Sequence, residues 1–462
     1  MIKAVVGSGG KTTLIRNWAK AYVETGRKVF VTTSTHMMIE EDTLLTEDAD
    51  EIIGELEEKH YVMAGVQEKE KIRALPLEVY EKVCSHADIV LIEADGSRHM
   101  PIKYPASHEP VIYDNVDEIV IVTGLQALNH KASEVSWRIE LVKQCLGIED
   151  DTKISPVHIQ TLLQKGYVKP LREKYPEKKI SIHPAHDQTL YQRALAALMK
   201  AEMDVSLIEE AWFAPEPHLF ICGGGHISCD LVKIASCLDF HITVMDDREE
   251  FAEKERFPQA DRVICDSFEN LGQYLEPWSY VVVVTRGHAA DYECVRTILS
   301  HPYAYLGMIG SKKKVQKTFE SLITEGFHEE QIRTIHAPIG LKIGAVTPAE
   351  ISVSILAEII AEKNGKQTAS ASKELLEVQE HGVLCIIIEK TGSSPRGVGS
   401  MMFVGEESVI GSVGGGAVEF AVIREARNHP KAQIKEYQLN QKESAELGMI
   451  CGGSNRILFL PI

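Results

Sequence analysis

Short apolar runs alternate with longer amphipathic stretches over the first 364 residues, and this alternation constrains the fold more than any other feature. Each run has the length of a buried strand, and each stretch has the length of a helix that crosses a sheet. Such alternation is typical of β-α-β units around a parallel sheet, so we expect an α/β protein. The predicted strands of this part are residues 3–6, 28–32, 89–93, 118–123, 219–222, 241–245, 262–265, 280–285 and 304–309.

The chain has 462 residues, which is too long for a single hydrophobic core. Two segments interrupt the periodic patterns: residues 212–217 contain two prolines, and residues 363–373 are polar without an apolar period. We therefore predict three domains. Two parallel-sheet domains span 1–212 and 217–364, and a small α+β domain spans 374–462, with strands at 382–389, 401–404, 408–413 and 456–460 and a helix at 417–428.

Net charge, apolar runs and cysteines narrow the class of protein. The net charge of −18 argues against nucleic acid and anionic membranes as partners. No run of about 18 apolar residues occurs, and the N-terminal strand leads directly into a glycine loop, so we expect neither a membrane span nor a signal peptide. The nine cysteines are scattered without a C-x-x-C pair, which indicates reduced thiols and a cytoplasmic location.

A glycine loop follows the first predicted strand and opens a helix. Amides at a helix N-terminus attract phosphate, Lys11 adds a positive charge, and the hydroxyl of Thr12 suits Mg²⁺. Val5 stands where the Walker A pattern has its first glycine, so the loop is a shortened variant. We predict bound ATP or GTP with Mg²⁺, and a tight turn with a surface lysine is the alternative. The predicted phosphate-binding residues are Gly7, Gly9, Gly10, Lys11, Thr12 and Thr13.

A second cluster of polar residues follows the apolar strand at 89–93. It combines carboxylate, arginine, lysine and histidine side chains over residues 93–110, at the end of a parallel strand where sites of α/β proteins form. Glu93 and Asp95 are the carboxylates expected on the Mg²⁺ side of a nucleotide, so the predicted metal ligands are Thr12, Glu93 and Asp95. The alternative is a charged surface loop.

The central domain begins with another glycine loop. Gly223 and Gly225 match the first two glycines of G-x-G-x-x-G, and Ser228 replaces the third. His226 opens the following helix, and Asp246 ends the next strand, where a ribose-binding carboxylate is expected. These residues predict NAD(P) or another nucleotide, and an unoccupied Rossmann fold is the alternative.

Two further turns follow predicted strands at the same edge of the central sheet. Arg286 and His288 follow the fourth strand, and Gly310 and Ser311 precede three lysines after the fifth. Both turns suit an anionic ligand. His288 and Asp291 together offer two metal ligands, and a hydrogen-bonded turn is the alternative.

Three glycine-rich turns lie close together in the C-terminal domain, at 391–397, 411–416 and 448–453. Glycine permits a close approach of the backbone to a ligand, so the turns predict a cradle for an anion. Arg396 is a candidate phosphate fork, and Cys451 is either a nucleophile or metal ligand or a buried structural cysteine. The other predicted ligand-binding residues in these turns are Ser393, Gly414, Gly415, Gly416 and Gly452.

The first domain resembles the YqeC family of accessory proteins for selenium-dependent molybdenum hydroxylases. The residues that carry this resemblance are Gly-Gly-Lys-Thr-Thr at 9–13, Glu-Ala-Asp-Gly-Ser at 93–97, Pro-Ile-Lys at 101–103 and His-Glu-Pro at 108–110. The resemblance implies a P-loop nucleotide-binding domain in the setting of hydroxylase maturation, and it leaves the reaction undefined.

The other two domains resemble the XdhC/CoxI family, maturation factors for molybdenum hydroxylases such as xanthine dehydrogenase. The residues that carry the resemblance to the family's Rossmann domain lie at 223–226, 246–248, 285–288, 307–311 and 347–350. The turns at 391–397, 411–419 and 449–453 resemble the family's other domain, which usually precedes the Rossmann domain and here follows it.

The XdhC/CoxI resemblance implies that the chain binds molybdenum cofactor, either molybdopterin or its nucleotide form. It also implies that the chain supports exchange of an oxo for a sulfido ligand and delivers the cofactor to an apo-hydroxylase, with Cys451 beside the metal or carrying the chalcogen. A cysteine desulfurase or a selenium donor protein is the implied second partner, and the implied assembly is a homodimer.

The resulting hypothesis is that the chain is a maturation factor for a molybdenum hydroxylase. The resemblance to the YqeC family implies that this hydroxylase is selenium-dependent. Whether the first domain hydrolyses its nucleotide is left open. An NAD(P)-dependent oxidoreductase is one alternative, although the missing third glycine and the lack of an evident substrate acid/base pair argue against it. A nucleotide-gated scaffold without chemistry is the other.

Overall fold

The computed structural model describes residues 1–238, 240–365, 371–392, 396–438 and 453–462. Two compact units form the chain. Unit 1 consists of Met1–Glu209, Val378–Arg396 and Met401–Ile462, and unit 2 consists of Glu210–Glu377 and Gly397–Ser400. The three domain boundaries inferred from the sequence remain predictions. The fold class is the expected one, namely α/β with two parallel-sheet regions and a small C-terminal antiparallel sheet.

The N-terminal part of unit 1 is built on a mainly parallel sheet. Its strands are β1 (Ile2–Gly7), β2 (Val29–Thr33), β3 (His36–Met38), β4 (Thr43–Leu45), β5 (Tyr61–Glu68), β6 (Lys71–Arg73), β7 (Ile89–Glu93), β8 (Ile102–Lys103), β9 (Glu118–Gly124), β10 (Ser136–Trp137) and β11 (Lys179–Ala185). In residues 1–209, all of which the structure describes, nine strands form one sheet in the order β11-β9-β1-β7-β2-β5-β6-β3, with β4 beside β5. The central strands are parallel, whereas β3 and β6 form an antiparallel ribbon at one edge.

Helices cover this sheet. They are α1 (Lys11–Glu24), α2 (Ala49–Lys59), α3 (Leu77–Cys84), α4 (Ala132–Val135), α5 (Ile139–Leu146), α6 (Pro156–Leu163), α7 (Lys169–Lys174) and α8 (Leu190–Lys200), and a π-helical turn at Gln164–Val168 joins α6 to α7. Leu14 and Ile15 of α1 pack with Val5 and Leu91 in a buried cluster. Strands β1 and β7 therefore lie side by side beneath α1, and this arrangement places the ends of both strands next to the first turn of the helix.

Unit 2 contains a second parallel sheet. Its strands are β12 (His218–Cys222), β13 (His241–Asp246), β14 (Arg262–Cys265), β15 (Ser279–Val283) and β16 (Tyr305–Met308), and its helices are α9 (His226–Ala235), α10 (His288–Leu299), α11 (Lys312–Thr324), α12 (Glu329–Ile332), α13 (Pro348–Gly365) and α14 (Lys373–Leu376). The strand order is β14-β13-β12-β15-β16. Separate apolar clusters lie on the two faces of the sheet, so the unit is a doubly wound Rossmann-like layer structure.

The two ends of the main segment of unit 2 are joined by a short backbone pairing. Pro215 and Ala371 form an isolated parallel bridge, and the amide of Ala371 donates to the carbonyl of Ala214 at 2.9 Å. The entry and exit of this unit therefore lie next to each other.

A buried histidine makes the stability of unit 2 depend on pH. The His218 side chain lies between the hydroxyls of Ser279 and Thr243, each 2.9 Å from a ring nitrogen. Burial, with His241 nearby, lowers the pKa of His218 to about 4. Because the ordinary histidine pKa is about 6.5, the unfolded chain binds a proton that the folded unit does not, and stability is lost as the pH falls below about 6.5.

We expect His218→Gln to remove this dependence. Between pH 7 and pH 5 the free energy of unfolding of unit 2 should fall by about 2 kcal/mol more in the wild type than in the variant. Urea unfolding followed by hydrogen exchange of peptides covering β12 and β15 measures it. His301→Gln, at an exposed position on the same unit, is the matched control. Equal losses in the wild type and His218→Gln would contradict the assignment.

The C-terminal part of unit 1 is a small antiparallel sheet with one helix. Its strands are β17 (Val383–Gly392), β18 (Met401–Val404), β19 (Val409–Gly411), β20 (Gln433–Gln438) and β21 (Gly453–Pro461), in the order β19-β18-β17-β21-β20, and its helix is α15 (Gly416–Asn428). Val418 and Val422 of α15 pack on the sheet. The Arg193 guanidinium of α8 donates to the carbonyls of Val378 and Glu380, at 2.5 and 3.0 Å.

Over the described ranges, we find no helix with the length and apolar character needed to cross a bilayer.

Candidate functional site

A cavity of 1090 Å³ lies in the N-terminal part of unit 1, at the ends of β1 and β7. It unites the two motifs that the sequence presents separately, because the glycine loop and the polar cluster after β7 line the same space. The β3–β6 ribbon supplies another side. The lining residues are Gly9, Gly10, Lys11, Thr12, Thr13, Ser34, Thr35, His36, Met37, Met38, Glu68, Lys71, Arg73, Ala74, Glu93, Gly96, Ser97, Arg98, His99, His108, Glu109, Gln126, Trp137, Arg138 and His186.

The glycine loop is held tightly against the sheet. Gly7 and Gly9 have φ angles of 94° and 79°, in the left-handed region that favours glycine. A Cβ on Gly7 would lie 2.1 Å from the carbonyl oxygen of Val122, and one on Gly9 would lie 2.5 Å from that of Pro101. Gly10 precedes α1, and no side chain caps the helix. The amides of the first helical turn are therefore available to an anion in the cavity.

Lys11 does not extend freely into the cavity. Its ammonium group lies 2.6 Å from both the carbonyl oxygen and the Oδ1 of Asp95, and 2.8 Å from the carbonyl oxygen of Gly7. The residue is 3% exposed. Burial alone would lower the pKa of Lys11, but the Asp95 and Glu93 carboxylates more than offset this effect and raise it. The ammonium is thus charged and already neutralised by the protein.

Asp95 is the centre of a buried network of charges. Its Oδ2 accepts from the amide of Gly7 at 2.9 Å and from the hydroxyl of Tyr167 at 3.0 Å, and it lies 2.8 Å from the Lys103 ammonium. Burial would raise the pKa of the Asp95 carboxyl, but Lys11 and Lys103 hold it below its ordinary value. Tyr167 belongs to the π-helical turn, an irregularity that recurs at functional sites.

The network continues from Lys103 to the opposite side of the cavity. The Lys103 side chain is fully buried and lies 3.1 Å from Glu109 Oε2 and 2.8 Å from the carbonyl of Gly96. Arg138 holds the same glutamate with two parallel hydrogen bonds of 2.7 and 3.0 Å. Positive and negative groups therefore alternate from the glycine loop to Arg138.

Thr12 and Glu93 line the cavity, whereas the third predicted metal ligand, Asp95, does not. Thr12 Oγ1 donates to Glu93 Oε2 at 3.1 Å. Burial raises the pKa of the Glu93 carboxyl, and the neighbouring Lys11 only partly opposes this effect. In the described ranges, no three His, Cys, Asp or Glu side chains are grouped to hold a metal ion. A Mg²⁺ ion here would rely on one carboxylate, a hydroxyl, water and phosphate oxygens, which is a usual set for this ion.

In unit 2, the predicted ligand-binding residues all lie at one edge of the parallel sheet. Asp246 is the last residue of β13, and the others follow β12, β15 and β16. Ser228, which stands at the third glycine position, is fully buried, and its hydroxyl donates to the carbonyl of Gly223 at 2.5 Å. A serine therefore fits this turn. Gly225 caps α9, and His226 is the exposed first residue of that helix.

The carboxylate of Asp246 is engaged in hydrogen bonds within the protein. One carboxylate oxygen accepts from the amide and the Nε of Arg248, at 3.0 and 2.9 Å, and the other accepts from the amide of Gly224 at 2.7 Å. Asp246 is 1% exposed. The neighbouring Asp247 is more exposed and lies 3.2 Å from the Arg286 guanidinium. Asp246 thus shapes the loop, and the carboxylate that reaches the surface is Asp247.

His288 and Asp291 contact different side chains of unit 2. The hydroxyl of Thr285 donates to the buried carboxylate of Asp291 at 2.5 Å, and Lys314 forms an ion pair with it. His288 Nδ1 lies 3.4 Å from the hydroxyl of Thr318. The hydrogen-bonded turn is therefore the arrangement present here. Ser311 caps α11 and accepts from the amide of Lys314, and Gly310 precedes it.

The C-terminal turns are described only in part. Gly414, Gly415 and Gly416 lead into α15, where Glu419 Oε2 accepts from the amide of Gly415 at 3.1 Å and from the hydroxyl of Ser412. Arg396 is exposed. Ser393, Cys451 and Gly452 lie outside the described residues. The cradle and the role of Cys451 remain predictions.

Several residues of the N-terminal cavity carry no signal in the sequence. Trp137, Arg138 and Tyr167 come from segments without a recognisable motif, and only the fold brings them to the cavity or its buried network. Lys103 belongs to a motif that the sequence does present, but its pairing with Asp95 and Glu109 depends on the tertiary structure.

Comparison with known families assigns all three parts of the chain. Residues 3–140 match the YqeC protein family, residues 219–359 match the XdhC Rossmann domain, and residues 375–437 match the XdhC and CoxI family. The chain therefore carries a YqeC domain followed by the two XdhC domains, and both resemblances inferred from the sequence are confirmed.

Three curated relatives resemble different portions of the chain. The uncharacterized protein YqeB of Escherichia coli K12 is 32% identical over 40% of this chain and 34% of its own length. One probable xanthine dehydrogenase component from Bacillus subtilis 168 is 30% identical over 32% of this chain and 43% of its own. The uncharacterized protein YqeC of E. coli K12 is 33% identical over 28% of this chain and 54% of its own. The chain thus spans about a third to a half of the length of these relatives.

Proposed function

We propose that this chain is a maturation factor for a molybdenum hydroxylase. The presence of both XdhC domains in one chain carries this proposal, and the similarity to a probable xanthine dehydrogenase component supports it. A YqeC domain heads the chain, and the proposal extends to a selenium-dependent client on the resemblance described for that domain. The client is an apo-hydroxylase, and the cargo is molybdenum cofactor, as molybdopterin or its nucleotide form.

The YqeC domain binds ATP or GTP in the N-terminal cavity. Three features support this part: a glycine loop with left-handed residues, an uncapped helix N-terminus, and a cavity in which the Glu93 carboxylate meets the Thr12 hydroxyl. Glu93 and Thr12 are the residues suited to Mg²⁺. Gly7, Gly9, Gly10 and Thr13 position the backbone amides that receive the phosphates.

The candidate cofactor-binding residues lie in the phosphate-compatible turns of the XdhC domains, with Arg286, Gly310 and Ser311 in unit 2 and Gly414–Gly416 in unit 1. Cys451 carries the sulfur or selenium or contacts the metal, with a cysteine desulfurase or a selenium donor protein as the source. The factor acts as a homodimer in the cytoplasm. The alternative NAD(P) oxidoreductase has little support, because the Asp246 carboxylate already accepts four hydrogen bonds from the amides of Gly224 and Arg248 and from the Arg248 guanidinium.

Purification from cells that make molybdenum cofactor tests the proposal. We expect mass spectrometry of the released ligands to find a pterin and molybdenum, and we expect deletion of the gene to lower the activity of the partner hydroxylase while its protein level stays constant. The same preparation from cells unable to make the cofactor is the control. Bound NAD(P) without pterin or molybdenum, or unchanged hydroxylase activity, would contradict the maturation role.

A further inference from the structure

We propose that the N-terminal cavity holds a second anion-binding subsite, formed by Arg98, His99, His108, Trp137 and Arg138 and here named the Arg98 wall. It would take the phosphate or carboxylate group of a second ligand, beside the nucleotide on the glycine loop. This inference rests on the proposed function, because the second ligand would bind beside the nucleotide in the same cavity.

The first support is the way in which Arg98 is held. Its guanidinium carbon lies 4.4 Å from the centre of the Trp137 ring, and that of Arg138 lies 6.0 Å from the same ring. Contact with an aromatic face restrains the guanidinium through its π surface and leaves its N–H groups available for hydrogen bonds. Two guanidinium groups thus lie near one indole, and a guanidinium with free N–H groups suits an oxyanion.

The second support is the charge balance. Glu109 neutralises Arg138 through two hydrogen bonds, but no carboxylate in the described ranges pairs with Arg98. The cavity lining contains the cations Lys11, Lys71, Arg73, Arg98 and Arg138 and the carboxylates Glu68, Glu93 and Glu109. The chain as a whole carries a net charge of −18. Lys11 and Arg138 pair with Asp95 and Glu109, and Arg73 lies 3.2 Å from Glu47, so among the described residues Lys71 and Arg98 are the lining cations without a carboxylate partner. Unpaired positive charge in a cavity of an acidic chain indicates an anionic ligand.

The third support is the backbone of the Arg98 wall. Arg98 and His99 have φ angles of 46° and 63°, so two consecutive residues with side chains adopt the left-handed region. The amide of Met100 donates to the carbonyl of Ser97 at 3.0 Å and closes this turn. Such conformations are unfavourable for residues other than glycine, and they persist where the surrounding structure imposes them. The fold therefore maintains an unfavourable turn that carries the stacked arginine.

The position of the Arg98 wall makes it a neighbour of the glycine loop. Asp95 contacts Lys11 of the loop directly. Arg98 follows Asp95 by three residues, so the Cα atoms of Asp95 and Arg98 are at most about 11 Å apart. The cavity volume of 1090 Å³ is close to the upper end of the range of about 300–1,000 Å³ that is typical of small-ligand pockets, so the cavity is large for its class. The Arg98 wall and the glycine loop therefore border the same cavity, and the proposal is that each holds its own anion.

Calorimetric titration of the full chain tests the subsite. The protein is first saturated with adenylyl-imidodiphosphate and Mg²⁺, and it is then titrated with inorganic phosphate and, in a second arm, with citrate. Mg²⁺ is kept in excess over the chelating citrate, and the heat of the same titration without protein is subtracted. We expect at least one of the two anions to bind with a stoichiometry of one, and the stronger of the two identifies a phosphate or a carboxylate ligand. Arg98→Met should weaken this binding at least tenfold and leave the affinity for the nucleotide analogue within twofold of the wild type. Arg172→Met, an exposed arginine of α7 outside the cavity, is the matched control and should change neither.

Three outcomes would overturn the subsite. If Arg98→Met leaves anion binding unchanged, Arg98 is only a surface arginine that stacks on a tryptophan. If no anion binds to the nucleotide-saturated protein, the cavity has no second ligand site. If Arg98→Met loses affinity for the nucleotide analogue, Arg98 belongs to the nucleotide site. If the analogue itself does not bind, nucleotide binding fails as a proposal, and the phosphate and citrate titrations of the ligand-free wild type and Arg98→Met then decide the subsite independently.

Discussion

Replacing Lys103 with methionine is expected to destabilise unit 1 by about 3–5 kcal/mol, because removing one member of a buried ion network leaves its partners uncompensated. Methionine preserves much of the length of the side chain and removes only the ammonium. In the wild type this group lies 2.8 Å from Asp95 and 3.1 Å from Glu109, without exposure to solvent. Urea unfolding, followed by hydrogen exchange of the peptide that covers β7, measures the loss.

The pH dependence of this loss adds a second test. The lowered pKa of Asp95 contributes stability above its unfolded value of about 3.9, and this stability disappears as the pH falls through the folded value. Without Lys103 the folded pKa rises, so the difference between variant and wild type should shrink toward acidic pH. Lys59→Met, at a surface position, should stay within about 0.5 kcal/mol of the wild type. A Lys103→Met variant as stable as this control would show that the network does not support the fold.

Asp95→Asn is expected to change stability and nucleotide affinity in opposite directions. Every group that contacts this carboxylate is a donor, so an asparagine amide must turn its NH₂ toward Lys11 or toward Gly7, Tyr167 and Lys103. We expect a loss of about 3 kcal/mol in the free energy of unfolding. The same change removes the carboxylate that holds the Lys11 ammonium, so ATP or GTP should bind about tenfold more tightly, a gain of ~1.4 kcal/mol.

Equilibrium binding of ATP and GTP to the two proteins, below the temperature at which the variant unfolds, measures this effect. Asp50→Asn, an exposed aspartate of α2 that pairs with Lys82, is the control and should change neither quantity appreciably. If Asp95→Asn instead weakens nucleotide binding, Asp95 acts mainly by shaping the loop through the amide of Gly7. If affinity is unchanged, Lys11 takes no part in phosphate binding.

Strands buried on both faces could be predicted well from the sequence. Ile89–Glu93 and Met401–Val404 have the predicted bounds, because a short run of apolar residues between polar segments leaves little choice of register or length. The edge strand Arg262–Cys265 also has the predicted bounds, although only one of its residues is buried. The β3–β6 ribbon was missed. His36–Met38 and Lys71–Arg73 are three residues long and mix charged with apolar side chains, so no period is visible in either.

For the candidate site, the sequence identifies the polar side chains and glycines but does not reveal which residues they contact. The glycine loop and the polar cluster were each predicted, but their common cavity depends on the pairing of β1 with β7, which places Val5 opposite Glu93. Asp95 resembles a metal ligand in the sequence, because a carboxylate follows an apolar strand. Its contacts with Lys103 and Tyr167 depend on long-range packing, which no local pattern encodes.

The pairing of Pro215 with Ala371 has a consequence for the order of synthesis. Unit 1 draws its residues from both sides of unit 2, so the ribosome completes Glu210–Glu377 before it makes the last strands of unit 1. The backbone bridge joins the ends of the inserted segment, so we expect Glu210–Glu377 to fold before Gly397–Ser400 and the last strands of unit 1 have been made. During this time residues 1–209 lack the C-terminal sheet. The hydrogen bonds from Arg193 to the carbonyls of Val378 and Glu380 can form only after those residues have been made.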